Sequence, residues 1–331
     1  MAFPNVLSEN AFSMTTLTDK VSKGQAVNTQ LARFFDVKNV NTTSIQVDME
    51  SGTITLLETV ARGQLPTHVT GARSRTAKTI GSVKIGTMVE LTAQDINDVR
   101  QFGEESLTET FQSILDPRLE DATGNLDATH ENLRAGAFRG IVYDSDGTTP
   151  LANLYTLFGL TAPAVIYLDL ESITDLGALR GQFDGIKNGI RDSAGKTPIS
   201  GFVAIAGRGA YQTLVNHAVV REAFDRWQDG VWLRGDNGGG FVWQGVEIFE
   251  YLGSAIEDDE ILFAPKTKGL FKTYFTSPDE PELAGTLGRP VYVIPQPQDS
   301  TKSWSAEVSS FPIHMCSRPD LLRVARIGEH P

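Results

Sequence analysis

From Asp116 onward the chain repeats with little freedom. Leu119, Ala122, Leu126, His130, Leu133 and Ala137 recur every three or four positions, the spacing of one buried stripe on an α-helix. Asp116 can serve as N-cap with Pro117 as the first helical residue, so the pattern predicts a helix over about 116–137. About twenty residues make a rod close to 30 Å long. A stripe that long has to be covered along its whole length, so the helix dictates what packs around it.

The segment before it is extended. Ile45, Val47 and Met49 alternate, as do Ile54 and Leu56, then Val83 and Ile85. Between them "LPTHVTGARSRTAKT" carries Arg73, Arg75 and Lys78 with little to pack. Residues 41–92 therefore read as an antiparallel hairpin with a basic tip. Arms of about ten residues reach on the order of 33 Å, and a two-stranded ribbon is marginal alone, so it needs a partner. Residues 1–40 are polar: "NTQLARFFDVKNV" reads as a short turn or helix lying on something else. Thr92 can cap a helix starting "AQDINDVRQF", with Asp95 in its first turn.

Downstream, "AFRGIVYDSDGTTPL" reads as a strand ending in a turn at Asp146–Gly147, and residues 165–300 read as α/β. A helix over 174–192 presents Leu176, Leu179, Phe183, Ile186 and Ile190. "GFVAIA" is a short buried strand, "AYQTLVNHAVVREAFDRW" a helix and "FVWQGVEIFEYLG" a strand. Strands follow at 260–264 and 269–275, and three more in "WSAEVSSFPIHMCSRPDLLRVARI". Between 269 and 293 three prolines and the acids Asp279, Glu280 and Glu282 separate two β-type runs.

Catalytic patterns are scarce. "DSAGKTP" has Ile190 where a phosphate loop needs glycine, and "GRGAY" at 207–211 lacks the third glycine of a dinucleotide loop. His68, His130, His217, His314 and His330 show no metal-type spacing; His130 reads as a packed histidine. The single Cys316 reads as a buried thiol beside His314 on one strand face, and allows no internal disulfide. "DSDG" at 144–147 reads as a turn and "EDDE" at 257–260 as a solvated acidic edge; "RGD" at 234–236 is a chance tripeptide. The net charge of −12 argues against a sequence-reading DNA binder, but suits a surface that lies beside DNA without adhering. The opening "MAFPNVLSENAF" lacks the regions of a signal peptide, and no apolar run is long enough to span a membrane. Extended arms with few catalytic candidates suit a subunit buried by its neighbours.

Five stretches, in order, resemble the major capsid protein of lambda-like tailed bacteriophages, the phage capsid protein E family. They are "LARFFDVKNVNTTSIQVDMESGTITLLETVARGQLP" (31–66), "NLDATHENLRAGAFRGIVYDSDG" (125–147), "VAIAGRGAYQTLVNHAVVREAF" (203–224), "GLFKTYFTSPDEPELAGTLGRPVYV" (269–293) and "EVSSFPIHMCSRPDLLRV" (307–324). The resemblance spans roughly residues 12–327. It departs at Gly285, where "GTLG" stands for the family's "NTLG".

The resemblance implies an α+β Hong Kong phage-type fold: N-terminal arm 1–40, extended hairpin loop 41–92, peripheral domain 93–165 and 301–331 with the spine helix, and axial domain 166–300. It implies a shell protein that forms hexamers and pentamers around the genome, without enzymatic activity or cofactor. Portal, scaffold and decoration proteins are implied partners, packaged double-stranded DNA a non-specific neighbour and membranes none. The place is the virion capsid, after synthesis in the host bacterial cytoplasm. Arg73, Arg75, Lys78, Asp279, Glu282 and Gly288 are the expected assembly residues, with the acidic loop of one subunit meeting the basic tip of another. Two alternatives stand beside this: an encapsulin-like compartment, and a cytoplasmic metal-dependent hydrolase using Asp144 and Asp146.

Overall fold

In a computed structural model, the chain is described over residues 14–23, 29–51, 74–92, 94–95, 107–170, 172–195, 197–226, 240–296 and 303–328. The elements, in order, are α1 (Met14–Lys23), β1 (Phe35–Asn39), β2 (Ser44–Ser51), β3 (Ser74–Gly81), β4 (Ile85–Thr92), α2 (Leu107–Arg139), β5 (Ile141–Tyr143) and β6 (Pro150–Asn153). There follow α3 (Leu154–Phe158), β7 (Ile166–Leu168), α4 (Leu176–Ala194), β8 (Phe202–Ala206), α5 (Arg208–Asn216), α6 (Ala218–Arg226), β9 (Gly240–Trp243) and β10 (Val246–Glu250). The last are β11 (Glu260–Pro265), β12 (Phe271–Phe275), β13 (Tyr292–Pro295), β14 (Ser303–Ser310), β15 (Pro312–Cys316) and β16 (Arg323–Ile327).

α2 organises the rest. It is 33 residues long and runs through Pro117 instead of starting there. An internal proline removes one helical hydrogen bond and costs about 3 kcal/mol. Burial outweighs that cost. Phe111 and Leu115 continue the stripe of Leu119, Ala122 and Leu126 without a break. All five lie at or below 4% exposure, and burying each of the four larger side chains contributes about 1.5–3 kcal/mol. They face Val89 and Leu91 of β4, Val291 and Val293 around β13, and Trp304, Ala306 and Val308 of β14. These strands form one antiparallel sheet in the order β13-β14-β4. β4 alternates along its length, and β14 as far as Val308, because the sheet has one covered face there. Leu17 of α1 joins this core.

Past residue 126 the helix enters a second core. Leu133, Ala137 and Phe138 pack with Phe35, Phe271, Ile313 and Met315. The strands there form a second three-stranded sheet, β1-β12-β15. The turn or short helix expected in this stretch is the single 3-10 turn Ala32–Phe34; strand β1 follows it and runs parallel to β12, which the sequence did not suggest. Phe35 explains the difference: it packs against the rings of Phe138 and Phe271, a tertiary contact that local pattern does not reveal.

The remaining strands make a mixed six-stranded sheet, β7-β16-β11-β8-β10-β9. β8 and β11 are buried throughout. α4 lays Leu179, Phe183, Ile186 and Ile190 against this core, as its spacing predicts. Three details differ from expectation. "FVWQGVEIFEYLG" is a hairpin, β9–β10, folded at Gln244–Gly245 with φ of 49° and 75°. Both central residues at positive φ are the hairpin geometry that glycine eases, with glutamine in place of the usual asparagine. The helix expected after "GFVAIA" breaks at His217, whose ψ of 129° is not helical and whose Nε2 lies 2.9 Å from the Leu170 carbonyl. β16, the last strand, sits between β7 and β11 inside this sheet.

Candidate functional site

The ribbon is rooted at one end. β2 and β3 pair antiparallel from Ser44–Gly81 to Ser51–Ser74. Eight residues at about 3.3 Å each give a length of about 26 Å. At the root Ile45 and Ile80 face each other across the pair, both buried. Ser82 ties the base, its N–H and hydroxyl both donating to the Thr43 carbonyl at 3.0 Å. Among the described side chains of the ribbon those two isoleucines alone are buried. β4 leaves the ribbon and joins the β14 sheet, so the paired part is shorter than 41–92.

The basic residues expected at the tip separate. Lys78 is exposed opposite Val47, and Arg75 pairs opposite Glu50. Arg73 and the rest of the tip lie outside the described residues, as do His68, His330, the tripeptide at 234–236 and most of the helix expected after Thr92. Only Gln94 and Asp95 of it are described as helical: the Thr92 N–H donates to Asp95 Oδ2 at 2.8 Å and the Asp95 N–H to Thr92 Oγ1 at 3.3 Å. This is a reciprocal cap of the expected kind. The Thr92 N–H and the Arg118 guanidinium hold the Asp95 carboxyl down at about 2.

The acidic loop connects β12 to β13, so it links the two small sheets. Asp279 and Glu282 are exposed on it, with Leu287 at 63%. The loop is built to hold its shape. Pro278 and Ser277 are buried, and the Ser277 hydroxyl donates to the Leu283 carbonyl at 3.2 Å. The Thr286 hydroxyl donates to the same carbonyl at 2.7 Å. Gly288 is internal: its N–H donates to the Val40 carbonyl at 2.9 Å, and a Cβ there would lie 2.2 Å from the Phe275 carbonyl oxygen. Its glycine is required by the close approach of two backbones.

Between the ribbon and the six-stranded sheet, residues 30–35 form a strap. The Leu31 N–H donates to Glu131 Oε1 at 2.7 Å. The Gln30 amide donates to the Glu250 carbonyl at 3.2 Å and accepts from the Leu252 N–H at 2.8 Å. Burial pushes the Glu131 carboxyl up, against the pull of the Leu31 N–H and of Arg134. At the end of α2, Arg139 grips Glu260 with Nε–Oε1 at 2.9 Å and Nη2–Oε2 at 2.5 Å. Glu260 is 2% exposed. The acidic run 257–260 is therefore only partly a solvated edge: its last member is the buried counter-ion of Arg139.

The chemistry available is that of contact. "DSDG" is a turn: Asp146 accepts the N–H groups of Thr148 and Thr149 at 2.9 Å and the Thr149 hydroxyl at 2.6 Å, which hold its carboxyl well below the usual range. Cys316 is buried, and burial pushes its thiol far up. Among the described residues no three acidic, histidine or cysteine side chains gather as metal ligands, and no helix is long and apolar enough to cross a membrane. Sequence reasoning missed the strap and the Arg139–Glu260 pair. The only signals were one arginine at a helix end and one carboxylate at a strand start, far apart in the chain.

A family model described as phage major capsid protein E matches residues 13–327. The fold is similar to the putative capsid protein of a prophage of E. coli CFT073, with TM-score 0.61, 15% identity, and 95% of this chain and 99% of that chain covered. The capsid of cyanophage P-SCSP1u gives TM-score 0.54 at 12% identity, covering 93% and 90%. The mature capsid of bacteriophage PhiM1 gives 0.51 at 12%, also covering 93% and 90%. Comparison with curated proteins gives no match.

Proposed function

The chain belongs to the phage major capsid protein E family, and we propose that its ribbon and its acidic loop are the surfaces through which copies close an icosahedral head. As a member it is a major head protein that self-assembles into the shell of the virion. The family is structural, and neither the compartment nor the hydrolase reading is favoured.

The finer reading is ours. The copies gather as hexamers and pentamers, with no catalytic step in the subunit. The arm (1–40), loop (41–92), peripheral (93–165, 301–331) and axial (166–300) parts describe how the chain meets its neighbours, with β4 and β16 crossing those limits through their pairings. Arg73, Arg75 and Lys78 of one copy approach Asp279 and Glu282 of the next, while Gly288 acts by fixing the loop. Portal, scaffold and decoration proteins complete the head, the net charge of −12 keeps the lining from adhering to packaged DNA, and synthesis takes place in the host cytoplasm. One observation carries this reading: among the described side chains of the ribbon, only the two isoleucines at its root are buried in its own chain. A two-stranded ribbon of this kind is stable when a partner covers it. Replacing residues 48–77 by a short turn should leave a folded, cooperatively melting subunit that no longer sediments as particles. Particles of normal size from that variant would refute the role of the ribbon.

A further inference from the structure

Where α2 passes from the first core to the second, one side chain of its stripe is a histidine. His130 is 3% exposed, and its Nδ1 lies 3.0 Å from Nε2 of His314 on β15. His314 is 5% exposed, and its Nδ1 lies 2.9 Å from the Thr273 hydroxyl on β12. Three of the four ring nitrogens are thus engaged. The fourth, His130 Nε2, is buried without a hydrogen-bond partner.

This chain of contacts allows two proton arrangements, and the burial of His130 Nε2 selects one. Two neutral imidazoles carry two N–H groups and two lone pairs. His130 Nδ1–H donates to His314 Nε2, and His314 Nδ1–H donates to Thr273 Oγ1. The unpartnered atom is then a bare lone pair, which costs less than an orphaned donor. Any further proton from solvent has one place to go, the His130 Nε2 lone pair. No bond breaks, and the product is an imidazolium whose new N–H meets no acceptor.

The surroundings oppose that cation from every side. Arg134, one turn along α2, is the charged group whose field reaches both rings. Its partner Glu131 is committed to Arg134 and to the Leu31 N–H, and Asp127 acts on Arg134. β12 contributes Thr273 and the ring of Phe275, β1 the ring of Phe35, and β15 the neutral thiol of Cys316 two residues on. Burial first, and Arg134 second, push His130 down to about 3; burial holds His314 down as well.

We propose that the His130–His314 pair is an acid-released latch: proton uptake, first at His130 Nε2, parts α2 from the β12–β15 sheet locally, before the six-stranded sheet opens. The seam it holds is where the helix changes from one core to the other, so its release lets the two small sheets move relative to each other. The latch sits inside one subunit and does not depend on how copies contact.

Hydrogen exchange on the full chain between pH 6 and 4, corrected for intrinsic rates, tests this. Segments 126–139 and 271–275 should lose protection by about a hundredfold per pH unit, the response to one proton on each of the two rings, while 202–206 holds. His130→Gln can still donate to His314 Nε2 but removes one of the two rings, so its protection in this seam should fall by only about tenfold per pH unit. The same loss in that variant, or simultaneous loss in 202–206, overturns the proposal. A second readout needs no variant: NMR titration of the wild-type imidazoles should leave both of these rings neutral below pH 5, and either ring titrating near 6.5 overturns it.

Discussion

Removing Arg139 should cost this protein more than neutralising Glu260, although the two make the same ion pair. The reason is burial. The Glu260 side chain is 3% exposed and that of Arg139 is 23% exposed. In Arg139→Met the carboxylate loses guanidinium contacts at 2.5–3.1 Å and keeps only the Glu257 N–H at 3.4 Å. Stranding a buried charge in this way costs about 3–5 kcal/mol, a large share of a typical margin of about 5–15 kcal/mol. In Glu260→Gln the arginine keeps the Ala255 carbonyl at 2.8 Å and can turn toward water, so about 1–3 kcal/mol is expected. The two variants also differ in their response to pH. A stranded buried carboxylate has its folded-state pKa raised above the unfolded value. Its ionised form is then what destabilises, so Arg139→Met should gain stability relative to wild type as pH falls from 8 toward 5. Glu260→Gln should show no such trend. Urea unfolding of the dissociated subunit, followed by fluorescence of the buried Trp243 and Trp304, measures both. Equal losses in the two variants, or an Arg139→Met loss below about 1 kcal/mol at pH 7, would show that the pair is not what holds α2 to β11.

Gly288→Ala should lower the melting temperature and alter the acidic loop, because the new methyl would meet the Phe275 carbonyl at 2.2 Å; thermal unfolding without a shift would mean that the loop can move away freely. Leu126→Asp should abolish folding rather than assembly alone, since a buried carboxylate among Trp304 and Leu119 costs several kcal/mol; a soluble variant with native circular dichroism would contradict the assigned face of α2.

Much of the fold follows from local pattern. The stripe from Leu119 to His130 determines which face of α2 is buried there, because helical periodicity leaves no other apolar face; from Glu131 to Phe138 the helix is buried nearly all round, which the stripe does not foretell. Alternation at Ile45, Val47 and Met49, and the continuous apolar run of 202–206, likewise determine strands wherever they end up in space. The turn at 144–149 follows from the side-chain chemistry of Asp146 itself. Glycine spacing was the weaker guide: Gly245 closes a hairpin that its flanking residues do not advertise.

Other features were decided only by tertiary structure. Pro117 reads locally as a helix start, but the burial of Phe111 and Leu115 against Trp304 carries the helix through it. Phe35 belongs to a strand because Phe138 and Phe271 are there to receive it. Glu260 is a core ion and Asp279 a surface one, though both stand in acidic runs; what separates them is the arrival of Arg139 from 121 residues away. Sequence pattern fixes which groups prefer burial or a given backbone shape. Which charges meet, which strands share a sheet and which carbonyl blocks a side chain depend on long-range closure, where residues distant in the chain are desolvated together.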